Sequence, residues 1–277
     1  MKVSSYTYTK TALRCISSLL LLSVFTGCEK ELDFKYHDVP SPLVIEGTLT
    51  GEGTNVRLTY ATPMDEAMDL TPVTDAEVLL TDITAGIERA LPLKDDGSFG
   101  DVTPGVPGHE YRVDVKTSGK EFRSESAMKD KTEIVDMQFQ WIKMPYDYVA
   151  VLRVTFKEIP DDADNCFWVR ILRNGKPYKW SVIDRRIGNQ GLISCVMMTS
   201  RKDLDEEDEA DALREGDEVT ALVIPIDRKM VDYLTALAND SNGPRMWHGD
   251  FCLGYFLAAP VATTTIIFHP DELTEYK

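Results

Sequence analysis

The chain's firmest constraint is a period of two. Val135-Asp136-Met137-Gln138-Phe139-Gln140-Trp141 alternates apolar and polar without exception, and Tyr148, Ala150, Leu152, Val154 and Phe156 repeat the pattern in the next run. A period of two places one set of side chains on each face of a β-strand, so one face is core and the other is wet. Earlier in the chain, short apolar runs recur about every ten residues: Leu43 to Leu49, Val56 to Tyr60, Ala76 to Leu80, Tyr111 to Val115 and Glu121 to Ser124. Between them lie Gly51-Glu52-Gly53, Asp96-Gly97, Pro107-Gly108 and Ser118-Gly119, residues that accept tight-turn dihedrals.

These patterns predict a mainly β protein of two sandwich-like modules. The first occupies residues 40–130; the second, 131–277, is a larger antiparallel module with further strands at Phe167 to Leu172, Tyr178 to Ile183, Leu192 to Thr199, Val219 to Ile226, Phe251 to Ala258 and Thr263 to Phe268. One amphipathic helix is expected at about residues 227–239. Asp227 suits its N-cap, and Met230, Val231, Leu234, Leu237 and Ala238 form an apolar stripe that should face the core.

The first module resembles the Ig-like, transthyretin-like and carboxypeptidase-regulatory-like domains of surface proteins. The resemblance rests on Asp75-Ala76-Glu77-Val78, the Asp96-Gly97-Ser98-Phe99 turn and Pro107-Gly108-His109-Glu110-Tyr111, about fifty residues in all. It implies a fold and no activity.

The amino terminus fixes an address. Lys2, Lys10 and Arg14 precede the apolar run Cys15 to Phe25, and Thr26-Gly27-Cys28 follows. About eleven apolar or small residues make roughly 16 Å of helix, half of a ~30 Å hydrocarbon core, so residues 1–27 read as a signal peptide and not as a permanent span. The end of the segment resembles the bacterial lipobox, with Phe25 standing where a smaller aliphatic residue is usual. That resemblance implies acylation of Cys28 and cleavage just before it. Residues 28–39 would then be a tether, and its acidic start Glu29-Lys30-Glu31-Leu32-Asp33 resembles export signals for the outer cell surface in Bacteroidota.

Removing the first 27 of 277 residues leaves 250, enough for two modest cores. The mature chain keeps 27 basic residues against 46 acidic ones, a formal charge near −19. Such a field repels phosphate backbones, which excludes nucleic acid as the expected partner. The odd set Cys166, Cys195 and Cys252 lies in apolar strands and reads as buried free thiols.

No nucleophile elbow, phosphate-cradling loop or metal-ligand spacing is present, and no cofactor or enzymatic activity is expected. The acidic run from Asp203 to Asp211 carries seven carboxylates in nine residues. Asp203, Asp205 and Glu207 are its weak cation candidates, set against a solvated acidic loop. Asp161-Asp162-Ala163-Asp164-Asn165 is a shorter run of the same kind. Among aromatics able to stack on a ligand are Trp141, Tyr148, Trp168, Tyr178 and Trp180, most of them expected in the core. Tyr146 and Trp247, in predicted loops, are the candidates for exposed contacts.

Over about 240 residues the chain resembles the Bacteroidota lipoprotein family of the domain of unknown function 4249. The matching features are Cys28 to Asp33 followed by Leu43-Val44-Ile45-Glu46-Gly47, Val73 to Val78, Tyr233-Leu234 in the helix, and Gly254-Tyr255-Phe256. The resemblance implies an outer-membrane lipoprotein encoded beside a TonB-dependent transporter, without established catalytic residues. The expected role is therefore a non-enzymatic accessory or ligand-binding subunit. A structural or adhesive surface protein is the alternative, and a polysaccharide-acting enzyme a third.

Overall fold

The computed structural model describes residues 41–62, 70–145, 148–184, 191–201 and 212–274. From Ser41 onward the chain forms one compact unit. It is mainly β, built of several mostly antiparallel sheets with a single α-helix among the described residues.

Two sheets enclose the first core. One contains β1 (Leu43–Thr50), β2 (Gly53–Tyr60), β5 (Phe99–Asp101) and β15 (Leu253–Ala258), in the order β15-β1-β2-β5. The other contains β3 (Ala76–Asp82), β4 (Ile87–Ala90), β6 (Glu110–Thr117), β7 (Lys120–Ala127) and β14 (His248–Gly249), in the order β14-β7-β6-β3-β4. Ile45, Leu58, Val56 and Phe256 from the first sheet meet Leu80, Val113, Val115 and Phe122 from the second. The alternation that marks these strands in sequence is what aims those side chains inward.

Two more sheets enclose the second core. β8 (Ile134–Lys143), β9 (Tyr148–Lys157) and β12 (Leu192–Arg201) run in the order β12-β9-β8. β10 (Cys166–Arg173), β11 (Lys176–Asp184), β13 (Glu218–Ile226) and β16 (Ala262–Ile267) run in the order β11-β10-β13-β16. Phe139, Leu152, Val154 and Phe156 pack against Phe167, Val169, Val219 and Ala221. The β10–β11 hairpin turns on Asn174 (φ 51°) and Gly175 (φ 75°), the successive positive dihedrals of a primed two-residue turn.

The strands do not divide at residue 131 as the sequence suggests. β14 and β15 lie late in the chain yet belong to the first pair of sheets: β14 extends the β7 edge, and β15 runs parallel to β1 with Tyr255 opposite Glu46. The intervening segment is fastened on both sides. Ser124 donates its hydroxyl to the Met246 carbonyl at 2.9 Å, and the Ala258 amide donates to Ser126 Oγ at 2.9 Å. The first sandwich is therefore discontinuous in sequence. A strand's alternation says which residues face inward; it carries no information about which edge the strand will join.

The helix runs Arg228–Ala238, and Asp227 caps it by accepting the Met230 amide at 2.7 Å. Met230, Val231 and Leu234 are buried against the first core, together with Cys166 and Ile226 on the neighbouring strands. Leu237 and Ala238 depart from the expected stripe, since both side chains are exposed. The helix's last turn carries them past the surface that buries the first two turns.

Candidate functional site

Successive residues of β10 serve different masters. Phe167, Val169 and Ile171 point into the second core, so Trp168 and Arg170 must point to the opposite face of the same sheet. On that face the pairing register sets Trp180 of β11 and Leu222 of β13 on either side of Arg170, and Thr265 of β16 beside Thr220. The helix and β15 cover the end of the face that holds Cys166 and Trp168. The other end is open: Trp180 is 40% exposed, and Thr263, Thr265 and Ile267 are also exposed.

Aromatic rings wall the covered end. Trp168 meets Trp180 edge to face, with centroids 6.5 Å apart and planes at 89°, and meets Tyr255 at 6.0 Å and 85°. Tyr255 in turn lies 5.8 Å from Tyr233 of the helix. The Arg170 guanidinium sits 4.9 Å from the Trp168 ring centroid, within the reach of a cation–π contact. Such mutually perpendicular packing restricts the rotamers of each ring, so the open face of Trp180 is held in place before any ligand arrives.

The polar groups here are incompletely paired. Arg170 and Glu46 have no ion-pair or hydrogen-bond partner among the described residues. The Trp168 indole N–H is buried and also lacks a partner. Burial pushes the Tyr255 phenol far above its ordinary range, and Glu46 adds to that shift while Arg170 opposes it. Burial likewise raises Tyr233, again with help from Glu46, against the Gly254 amide that donates to its hydroxyl. Both phenols therefore stay neutral at physiological pH. The arrangement offers a fixed aromatic surface with a cation, a carboxylate and hydroxyls around it, suited to binding a polar ligand with one apolar face.

A groove of about 420 Å3 lies on the outer face of the β7-β6-β3-β4 sheet. Its charges are matched internally. Arg112 and Arg123 donate to the two oxygens of Asp114 at 2.8 and 2.6 Å, and Lys116 pairs with Glu121 at 2.8 Å. A ligand entering there would have to displace existing ion pairs, whereas the aromatic shelf has groups without partners.

The expectation for Trp247 is overturned. It is fully buried, and its indole N–H donates to the Ile45 carbonyl at 3.2 Å, so it is a core residue of the first sandwich and not an exposed contact. The surrounding Arg245-Met246-Trp247-His248 reads as a loop because it is short and lacks alternation; it is drawn inward by pairing to β7. Tyr146, Cys28, and the acidic candidates Asp203, Asp205 and Glu207 lie outside the described residues. In the shorter acidic run, Asp162 pairs with Lys129 at 2.7 Å, Asp164 faces Arg228 at 3.4 Å, and the Asn165 side chain holds the Ile159 backbone, which makes it a folded turn. Cys166, Cys195 and Cys252 are all free and buried.

Arg170, Glu46 and Tyr255 escape a sequence reading. The available signal is a charged residue on each of two otherwise apolar strands, Trp168-Val169-Arg170 and Ile45-Glu46-Gly47; only the parallel β1–β15 pairing brings Glu46 beside Tyr255. In comparisons with known proteins, the chain matches no family model and no curated protein.

Proposed function

We propose that the protein is a lipid-anchored accessory subunit on the outer-membrane surface that captures a ligand for a TonB-dependent transporter. The observation that carries this reading is the order of the first residues: a basic start, a short apolar run and Thr26-Gly27-Cys28 immediately before an acidic segment. Two or three acyl chains on one cysteine, at about 0.8 kcal/mol per buried CH2, make a stable anchor. The aromatic shelf, with Arg170 and Glu46 lacking ion-pair or hydrogen-bond partners among the described residues, supports the ligand-capturing half of the reading.

The test is a mild-detergent pull-down of the tagged protein from its own outer membrane, read by mass spectrometry, beside metabolic labelling with an alkyne fatty acid. Label on the wild-type chain and none on Cys28→Ala, with a β-barrel transporter in the wild-type eluate, is the expected result. An unlabelled wild-type protein removes the anchor, and a labelled protein that elutes without any barrel removes the transporter.

A further inference from the structure

We infer that the shelf formed by Trp180, Arg170, Tyr255, Glu46 and the Thr220–Thr265 pair is a binding site for a neutral glycan chain. This inference rests on the ligand-capturing half of the proposed function and is independent of the lipid anchor and the transporter.

Three observations select this ligand class. Trp180 is 40% exposed on the edge strand β11 at the open end of the face, with the Trp168 ring perpendicular to it at 6.5 Å. A ligand that covers it must itself be flat and apolar on one side, as the C–H face of a pyranose is. Arg170, opposite Trp180 in register, is a planar donor, and Glu46, opposite Tyr255, is a planar acceptor; neither has an ion-pair or hydrogen-bond partner among the described residues. Vicinal hydroxyls donate and accept at once, so a sugar satisfies both groups, whereas a hydrocarbon or a simple aromatic ligand would desolvate them without recompense. Farther along the same face the Thr220 and Thr265 hydroxyls are hydrogen-bonded at 2.8 Å on an exposed stretch of sheet, extending the polar surface beyond one sugar ring.

Charge narrows the class to neutral sugars. Arg170 repels a cationic ligand. A formal charge of −16 over the whole chain disfavours an anionic one. The aromatic wall at Tyr255 closes one end of the shelf, and the opposite end is open past Thr263, so a chain can continue outward.

The experiment titrates the full-length protein in mild detergent with maltohexaose, cellohexaose, xylohexaose, mannohexaose and chitohexaose, with polygalacturonate as an anionic control and an indole derivative as an aromatic one. Tryptophan fluorescence and calorimetry are the readouts. Binding to at least one neutral oligosaccharide is expected, weakened about tenfold or more by Trp180→Ala and by Arg170→Met, and partly retained by Trp180→Phe. Thermal unfolding of each variant reports whether the fold survives, and Trp180→Phe provides the comparison if Trp180→Ala does not fold. No binding to any neutral member, binding indifferent to all three substitutions, or preference for polygalacturonate or the indole would overturn the inference. Transporter co-purification is measured on the same Trp180→Ala variant. Its retention while glycan binding is lost separates the two readings, and glycan binding without a barrel in the eluate leaves the glycan site standing while removing the transporter.

Discussion

The indole N–H of Trp247 donates to the backbone carbonyl of Ile45 at 3.2 Å, joining two residues 202 positions apart in the middle of the first core. Ile45 is on β1, and Trp247 immediately precedes β14, so this bond ties the beginning of the folded body to a strand from near its end. Trp247→Ala removes the largest fully buried side chain together with that bond. It should destabilise the protein by about 3–5 kcal/mol. Trp247→Phe, which keeps most of the volume and loses the bond from the indole N–H to the Ile45 carbonyl, should cost about 1–3 kcal/mol. Guanidinium unfolding of both variants measures the two costs, and a Trp247→Phe variant as stable as the wild type would show that the hydrogen bond contributes nothing beyond the ring's volume.

The same carbonyl constrains Gly254. That glycine has φ of 92°, and a Cβ there would overlap the Ile45 carbonyl oxygen. Gly254→Ala must therefore either strain the backbone or part β15 from β1. A loss of about 2–4 kcal/mol is expected, combining the cost of the dihedral with that of the displaced strand. Hydrogen exchange should show faster exchange along β15 and β1 than along β9 and β12. Uniform exchange across all four strands would contradict a local origin.

Asp217 gives the protein an acid limit. Burial alone would raise its carboxyl, but the Arg214 amide, the Asn174 side chain and Arg173 at 2.7 Å together hold it below the ordinary value of 3.8. A carboxyl depressed on folding stabilises the native state fully above its unfolded pKa, and that contribution is lost as pH falls below 3.8 through the folded value. Asp82, held down by His109 at 2.9 Å and the Ala85 amide against its own burial, acts in the same direction. Asp217→Asn should lower stability at pH 7 by about 2 kcal/mol. It should also flatten the decline in unfolding midpoint between pH 4 and pH 2. A variant that keeps the wild-type acid slope would exclude Asp217 as its source.

The three free cysteines among the described residues should be inert until the protein unfolds. Burial pushes Cys252 up to about 12 and Cys195 up to about 11, and raises Cys166 as well despite Arg228 nearby. The thiolate is the reactive form, so at pH 8 almost none is present and little of it is reachable. Ellman's reagent should leave Cys166, Cys195 and Cys252 unmodified in the native protein and react with all three in guanidinium. Rapid labelling of any one of them in the native state would mean that the surrounding core opens locally.

Much of the strand content is legible because alternation is local. Val135 to Trp141 and Tyr148 to Phe156 can be read as two strands, and they form β8 and β9, paired to each other. Asp227 marks the helix start because a carboxylate at that position has an amide to accept, and the Met230 amide is there. The shortest strands, β4, β5 and β14, are too brief for a period to show. What alternation cannot supply is partnership. β15 reads as a strand from its composition, yet its place beside β1 depends on a long-range edge, and the module boundary drawn near residue 131 fails for that reason. The candidate site fails to show for the same cause, since Glu46 and Tyr255 become neighbours only through that pairing. Trp180 reads correctly as a strand residue but not as the one on the open face, because exposure is set by where the helix and β15 stop covering the sheet.

The parallel pairing of β15 with β1 also fixes an order of events. A polypeptide made from its amino terminus delivers β1 first and β15 near the end. Until the last strands arrive, β1 has one unpaired edge and the cavity meant for Trp247 is empty, a condition that invites wrong partners. Closure of the first sandwich therefore acts as a completion check: a chain cut short anywhere before Ala258 cannot hide that edge and is left open to proteolysis.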